Sequence, residues 1–305
     1  MQLEQQIPVL VPGTDLELLA RQVVEGFIIG LHKSPFHGFS VEFAEHRLYN
    51  PGDALKHIDW KVLGRTDRLY VKKFEEETNL RCYLLMDNSA SMYYRGSDKK
   101  PTKIQYSCVA AAAITCLMKK QLDAAGLITF NETVELQTAC KSSAAHFKTV
   151  YRELQHLFDG AAGTKKTATP EVLHLLAENI HKRSLVVLFS DMLDAADDQD
   201  KLFSALQHLK YNKHEVILFY VTDHEKERHF EFDNRPYEFI DMETGEKLKL
   251  HPAQVKENYL VQMAAHRKQL LEKCKQFHID VIDADINQPY DQILLPYLLK
   301  RNKML

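Results

Sequence analysis

Few features of this 305-residue sequence assign it to a class by inspection. The five cysteines, Cys82, Cys108, Cys116, Cys140 and Cys274, are odd in number, scattered and without metal-ligand spacing. Neither a disulfide framework nor a thiolate metal site is expected, and reduced thiols in a cytosol are the default. No apolar run approaches the roughly 20 residues that span a bilayer. The longest weakly polar stretch, Ser107 to Met118, is Ala-rich and reads as a packed helix. With 39 basic against 42 acidic side chains, the net charge of −3 offers no global attraction to nucleic acid. Met1 to Pro12 carries Glu4 and two prolines and lacks a basic segment followed by a long apolar one, so a secretory leader is not expected. These absences point to an unprocessed, soluble, cytoplasmic protein.

Several chemistries are missing at the level of motif. The stretch Gly160-Ala161-Ala162-Gly163-Thr164-Lys165-Lys166-Thr167 is not a phosphate loop, which would need glycine at Lys165 and lysine at Lys166. No G-x-G-x-x-G follows a strand, and neither Ser89 nor Ser91 sits in G-x-S-x-G. The 15 histidines are dispersed, with no H-E-x-x-H pattern, and read as surface or hydrogen-bonded groups.

What is present is an alternation of elements. Apolar positions from Leu16 to Leu31 recur at helical spacing, and Phe39 to Thr78 mixes short strands with turns. From Arg81 onward, apolar strands are expected at Cys82–Met86, Ala124–Phe130, Leu185–Phe189, Val216–Val221 and Ile279–Ile282. Helices are expected between them, at Thr102–Gln121, Ala144–Phe158, Pro170–Lys182, Asp198–Leu209 and Ala253–Phe277. Such alternation implies an α/β fold with a doubly wound, mostly parallel sheet covered on both faces. Residues 1–80 read as an accessory region of a helix plus short strands, and 81–305 as the α/β domain. A peripheral hairpin, Tyr237–Asp241 with Lys247–Leu250, forms an insertion near 230–252.

Strands ending in Asp87, Asn131, Asp191 and Asp223 place polar side chains at the carboxyl edge, where open α/β sheets bind ligands. Asp87-Asn88-Ser89-Ala90-Ser91 follows the first of them with a carboxylate and two hydroxyls at alternate positions, hard oxygen donors suited to Mg²⁺ or Mn²⁺. Thr167 lies just before an expected helix with Thr169 as cap and Pro170 at its first position, and Thr164 is a second candidate in that loop. Asp87 and Asp191 together neutralise a divalent ion, and such an ion keeps positions open for water or a partner's carboxylate.

Asp87, Ser89, Ser91, Thr167 and Asp191 resemble the metal-ion-dependent adhesion site of von Willebrand factor A domains, which are doubly wound α/β domains. Ser34-Pro35 with Gly38, His46 through Asp53, Ile58-Asp59-Trp60, Glu75-Glu76-Glu77-Thr78, Asp241 through Gly245 and Tyr297 through Arg301 resemble the bacterial family called domain of unknown function 58. Two departures stand out: Ala54 follows Asp53 where a second acid is common, and Lys165-Lys166 replaces glycines. The resemblance implies a non-enzymatic von Willebrand A-like protein working with a MoxR-type AAA+ ATPase as adaptor or co-chaperone, with Mg²⁺ bridging to an acidic protein ligand. The other reading of the same carboxylates is a metal-dependent hydrolase. Arg47, Asp53, Asp59 and Trp60 either fasten the N-terminal segment to the main domain or form a partner-docking face.

Overall fold

The computed structural model describes residues 14–31, 46–48, 62, 64–65, 70–72, 80–97, 100–161, 169–193 and 199–289. The chain divides into two units, Met1–Gly30 with Leu80–Leu305, and Leu31–Asn79. In the smaller unit the described strands β1 (His46–Leu48) and β2 (Tyr70–Lys72) pair antiparallel, Arg47 opposite Val71. Asp53, Asp59 and Trp60 lie outside the described residues.

The larger unit is built on six strands, β3 (Arg81–Asp87), β4 (Ala124–Phe130), β5 (Val134–Gln137), β6 (Leu185–Ser190), β7 (Glu215–Thr222) and β10 (Asp280–Asp285). Their order is β10-β7-β6-β3-β4-β5, parallel throughout except for β5, which returns antiparallel against β4. The central strands are buried along nearly their whole length, which is why they read as unbroken apolar runs. Successive side chains still alternate between faces. Cys82, Leu84 and Met86 meet one core; Tyr83 and Leu85 meet the other.

Helices α1 (Leu16–Leu31), α2 (Lys103–Lys120) and α3 (Ala144–Phe158) contribute to the first core, and α4 (Thr169–Asn179), α5 (Gln199–Tyr211) and α6 (Pro252–Gln276) to the second. Every large aliphatic side chain closed off in this way is worth about 2 kcal/mol relative to exposure. Helix α2 is buried over most of its circumference, and its run of alanines lets neighbours approach closely. Its polar members Ser107 and Thr115 return their hydroxyls to the carbonyls four residues back, at 2.8 Å each. Thr102 caps it in a reciprocal box with Gln105. Sequence continuity groups α1 with the segment that follows it, whereas packing groups it with the sheet: Leu16, Leu19, Ala20 and Val24 enter the first core.

The chain leaves β3 toward β4 on one side and later comes back to lay β6 against the other side of β3. Between β3 and β6 the winding therefore reverses, and the loops leaving these strands diverge to opposite faces. A crevice at the carboxyl ends follows from this topology. The expected hairpin is present as β8 (Tyr237–Ile240) and β9 (Lys247–Leu250), paired antiparallel. Among the described residues no helix is long and apolar enough to cross a membrane.

Candidate metal centre at the strand switch point

Asp87 is the last residue of β3, and Asp191 follows the last residue of β6, so the reversal of winding puts the two acids on adjoining strand ends. Both are buried, Asp87 at 0% exposure and Asp191 at 2%. Asp87 Oδ2 accepts the Ser190 hydroxyl at 2.7 Å, and Oδ1 accepts the Ser89 amide at 3.0 Å. Ser190 Oγ in turn accepts the Met192 amide at 2.9 Å. Met192 is held at φ +50°, a left-handed conformation that costs a non-glycine residue about 1–2 kcal/mol and turns the chain sharply after Asp191.

After Asp87 the chain enters a 3₁₀ turn, Ala90–Tyr93, with Ser89 at its cap position. Backbone bonds close this turn: the Ser89 and Ser91 carbonyls accept the Met92 and Tyr94 amides. Ser89 makes no side-chain cap bond, so its hydroxyl faces Ser91 Oγ at 3.1 Å. Asn88 does the fastening, donating to Glu135 at 2.6 Å and accepting from Tyr93 Oη at 2.8 Å. Three of the expected ligands, Asp87, Ser89 and Ser91, thus form one oxygen cluster. Asp191 stands close enough for its charge to act on Asp87. Thr167 and Thr164 lie outside the described residues. The expected cap, Thr169, is instead the first helical residue, and its buried Oγ1 has no hydrogen-bond partner among the described residues.

The electrostatics of the cluster fit a cation. Burial, and then the charge of Asp191, push the Asp87 carboxyl up to about 7, against the hydrogen bonds from Ser190 and Ser89. Asp87 has no ion-pair partner among the described residues. Its carboxylate and the neighbouring hydroxyl oxygens are the kind of donors that could hold a hard ion such as Mg²⁺ or Mn²⁺. No group of three or more His, Cys, Asp or Glu side chains placed to hold a metal occurs among the described residues.

Two members of the site were not singled out from sequence. Lys103, the first residue of α2, is 0% exposed, with Nζ 2.7 Å from Asp191 Oδ2 and 2.6 Å from Glu227 Oε1. Burial works against its ammonium, but the two carboxylates outweigh that and hold it charged, above its ordinary value. Glu227 sits in a π-helical turn, His224–Arg228, and its Oε2 accepts the Asp223 amide at 2.8 Å. It also lines a cavity of about 500 Å³ with Tyr220, Arg228, Met263 and Arg267. Asp223 packs against the loop after β3: a Cβ on Gly96 would lie 2.2 Å from Asp223 Oδ2, so only glycine permits this approach. No local pattern in the sequence marks Lys103, a lysine at the start of its helix.

Comparison with known families settles kinship. Residues 45–269 match the family described as "Protein of unknown function DUF58". The chain belongs to the DUF58 family. The DUF58 chain is 26% identical over 208 residues to the uncharacterized protein Rv1480 of Mycobacterium tuberculosis, and equally so to the uncharacterized protein Mb1516 of Mycobacterium bovis. Each match covers 68% of this chain and 63% of the relative, so it spans less than two thirds of those proteins. Among solved structures, the chain is similar to the conserved hypothetical protein BatB of Bacteroides thetaiotaomicron, with TM-score 0.43 and 10% identity over 73% of this chain and 99% of that one. It is also similar to the SpRpn10 VWA domain, with TM-score 0.35 and 13% identity over 47% of this chain and 76% of that one.

Proposed function

We propose that this DUF58 protein is a non-enzymatic, metal-dependent protein-interaction module of von Willebrand A type. Mg²⁺, or Mn²⁺, is held by Asp87, Ser89 and Ser91, with Asp191 and Thr167 completing the set directly or through water. The ion then presents an open position to an acidic residue of a protein partner. The resemblance to von Willebrand A-like proteins that accompany MoxR-type AAA+ ATPases supports the same role here, that of a cytoplasmic adaptor or co-chaperone.

One observation carries this reading: a fully buried carboxylate, Asp87, at the point where the strand winding reverses, is met by hydroxyls and has no ion-pair partner of its own among the described residues. Burying a charge without compensation is among the most costly arrangements in a protein. At a strand-end crevice a mobile divalent ion offsets that cost and leaves an electropositive binding point for a carboxylate.

The test is co-purification of a MoxR-type AAA+ ATPase with the full chain in Mg²⁺ and in EDTA. Retention in Mg²⁺, release in EDTA and no retention by Asp87→Ala is the expected result. Retention that ignores both chelator and mutation contradicts the reading. The hydrolase alternative is tested alongside by assaying phosphoester and peptide turnover with Mn²⁺, where no metal-dependent activity is expected.

A further inference from the structure

Lys103 is placed against two general preferences at once. It is a cation at the first position of a helix, where the backbone dipole favours anions, and its side chain is wholly shielded from water. It is also not a simple pair. Its ammonium is shared by Asp191 at 2.7 Å and Glu227 at 2.6 Å and lies 5.7 Å from the centroid of the Tyr94 ring. Lys103 bonds Asp191 Oδ2, and among the described residues Oδ1 accepts one bond, at 3.3 Å from the Leu193 amide.

The charges form a ladder. Asp87 and Asp191 carry two negative charges, Lys103 removes one, and Glu227 restores it. The four side chains together therefore match a divalent ion, whereas the first three alone match a monovalent one. We propose that Lys103 and Glu227 are positioning residues that set the strength of the metal site through Asp191, with Glu227 keeping the site matched to a divalent charge. This inference rests on the metal-centre reading above and adds to it that ion affinity is controlled from the π-helical turn His224–Arg228, outside the residues that hold the ion.

Calorimetric titration of Mn²⁺ into the metal-free full chain tests the ladder. Lys103→Met leaves the cluster one charge more negative and should tighten binding by about tenfold; Glu227→Gln leaves it one charge less negative and should weaken binding by about tenfold. The double variant has the wild-type sum and should return to within about threefold of wild type. A purely structural role for these residues moves affinity downward in all three variants, and that pattern, or no change in any of them, overturns the inference. Should Lys103→Met fail to fold, Glu227→Gln against the double variant carries the comparison, with circular dichroism as the check on folding. Wild type that binds no ion sinks the metal-centre reading and this inference with it. Wild type that binds while the ladder fails sinks this inference alone.

Discussion

Two aspartates at the same sheet edge, three strands apart, have opposite surroundings. On β10, Asp283 accepts from His224 Nε2 at 3.1 Å, Arg228 Nη1 at 2.9 Å and Arg267 Nη2 at 2.7 Å. Burial works against its charge, yet the His224 ring and the Arg267 guanidinium hold its carboxyl down to about 2. On β3, Asp87 is more deeply buried and is met by two hydroxyls and an amide, and its carboxyl is pushed up to about 7. Asp283 is a closed structural cluster in which the protein supplies every counter-charge. Asp87 is an open one, with no cation paired to it among the described residues. Lys103 and Glu227 sit between these two arrangements, with Glu227 next to Arg228 in the turn that serves Asp283.

The largest effect is expected from removing the charge at each end. Asp87→Asn should abolish divalent-ion binding in calorimetry while raising the stability of the metal-free protein at pH 8, on the order of 2 kcal/mol. Asp283→Asn should have the reverse signature in the same denaturant melts, costing about 2 kcal/mol because His224, Arg228 and Arg267 lose a charged acceptor and one of its two oxygens becomes an NH2 donor, with ion binding intact. Variants that move stability in the same direction would erase the distinction between the two ends.

Acid titration sharpens the contrast. Asp283 has a depressed value in the folded state, so its contribution is complete above about pH 4 and is lost as pH falls toward 2. Asp87 has a raised value, so the metal-free fold binds more protons than the unfolded chain and loses stability as pH rises from about 4 through 7. Melts of wild type and the two asparagine variants should show each slope vanish in its own variant. The smallest effect is expected at the exposed rim, where Glu17 pairs with Arg21 at 2.8 Å and Lys119 at 3.2 Å. Glu17→Gln should cost well under about 1 kcal/mol, an amount typical of solvent-screened pairs.

The parallel strands were legible because strands buried on both faces need consecutive apolar residues, and α1, β4, α3 and β9 run between the residues their periodicity gives. Strand β5 escaped notice: Val134–Gln137 is too short and too alternating to stand out from the turn before it. The oxygen cluster was legible where its members are local, as in Asp87-Asn88-Ser89-Ala90-Ser91. The buried cation was not, because Lys103 reaches Asp191 across 88 positions and Glu227 across 124, and no local pattern marks a lysine for burial. The π-helical turn His224–Arg228 is equally silent, since its charged residues read as an ordinary solvated loop.

The central claim is that Asp87 waits for a divalent ion. Electron paramagnetic resonance of Mn²⁺ titrated into the metal-free full chain and into Asp87→Asn tests it most directly. One bound, spectrally broadened Mn²⁺ per wild-type chain and only free aqueous Mn²⁺ with the variant is the predicted result. Free Mn²⁺ in both samples, or the same bound signal in both, would contradict it.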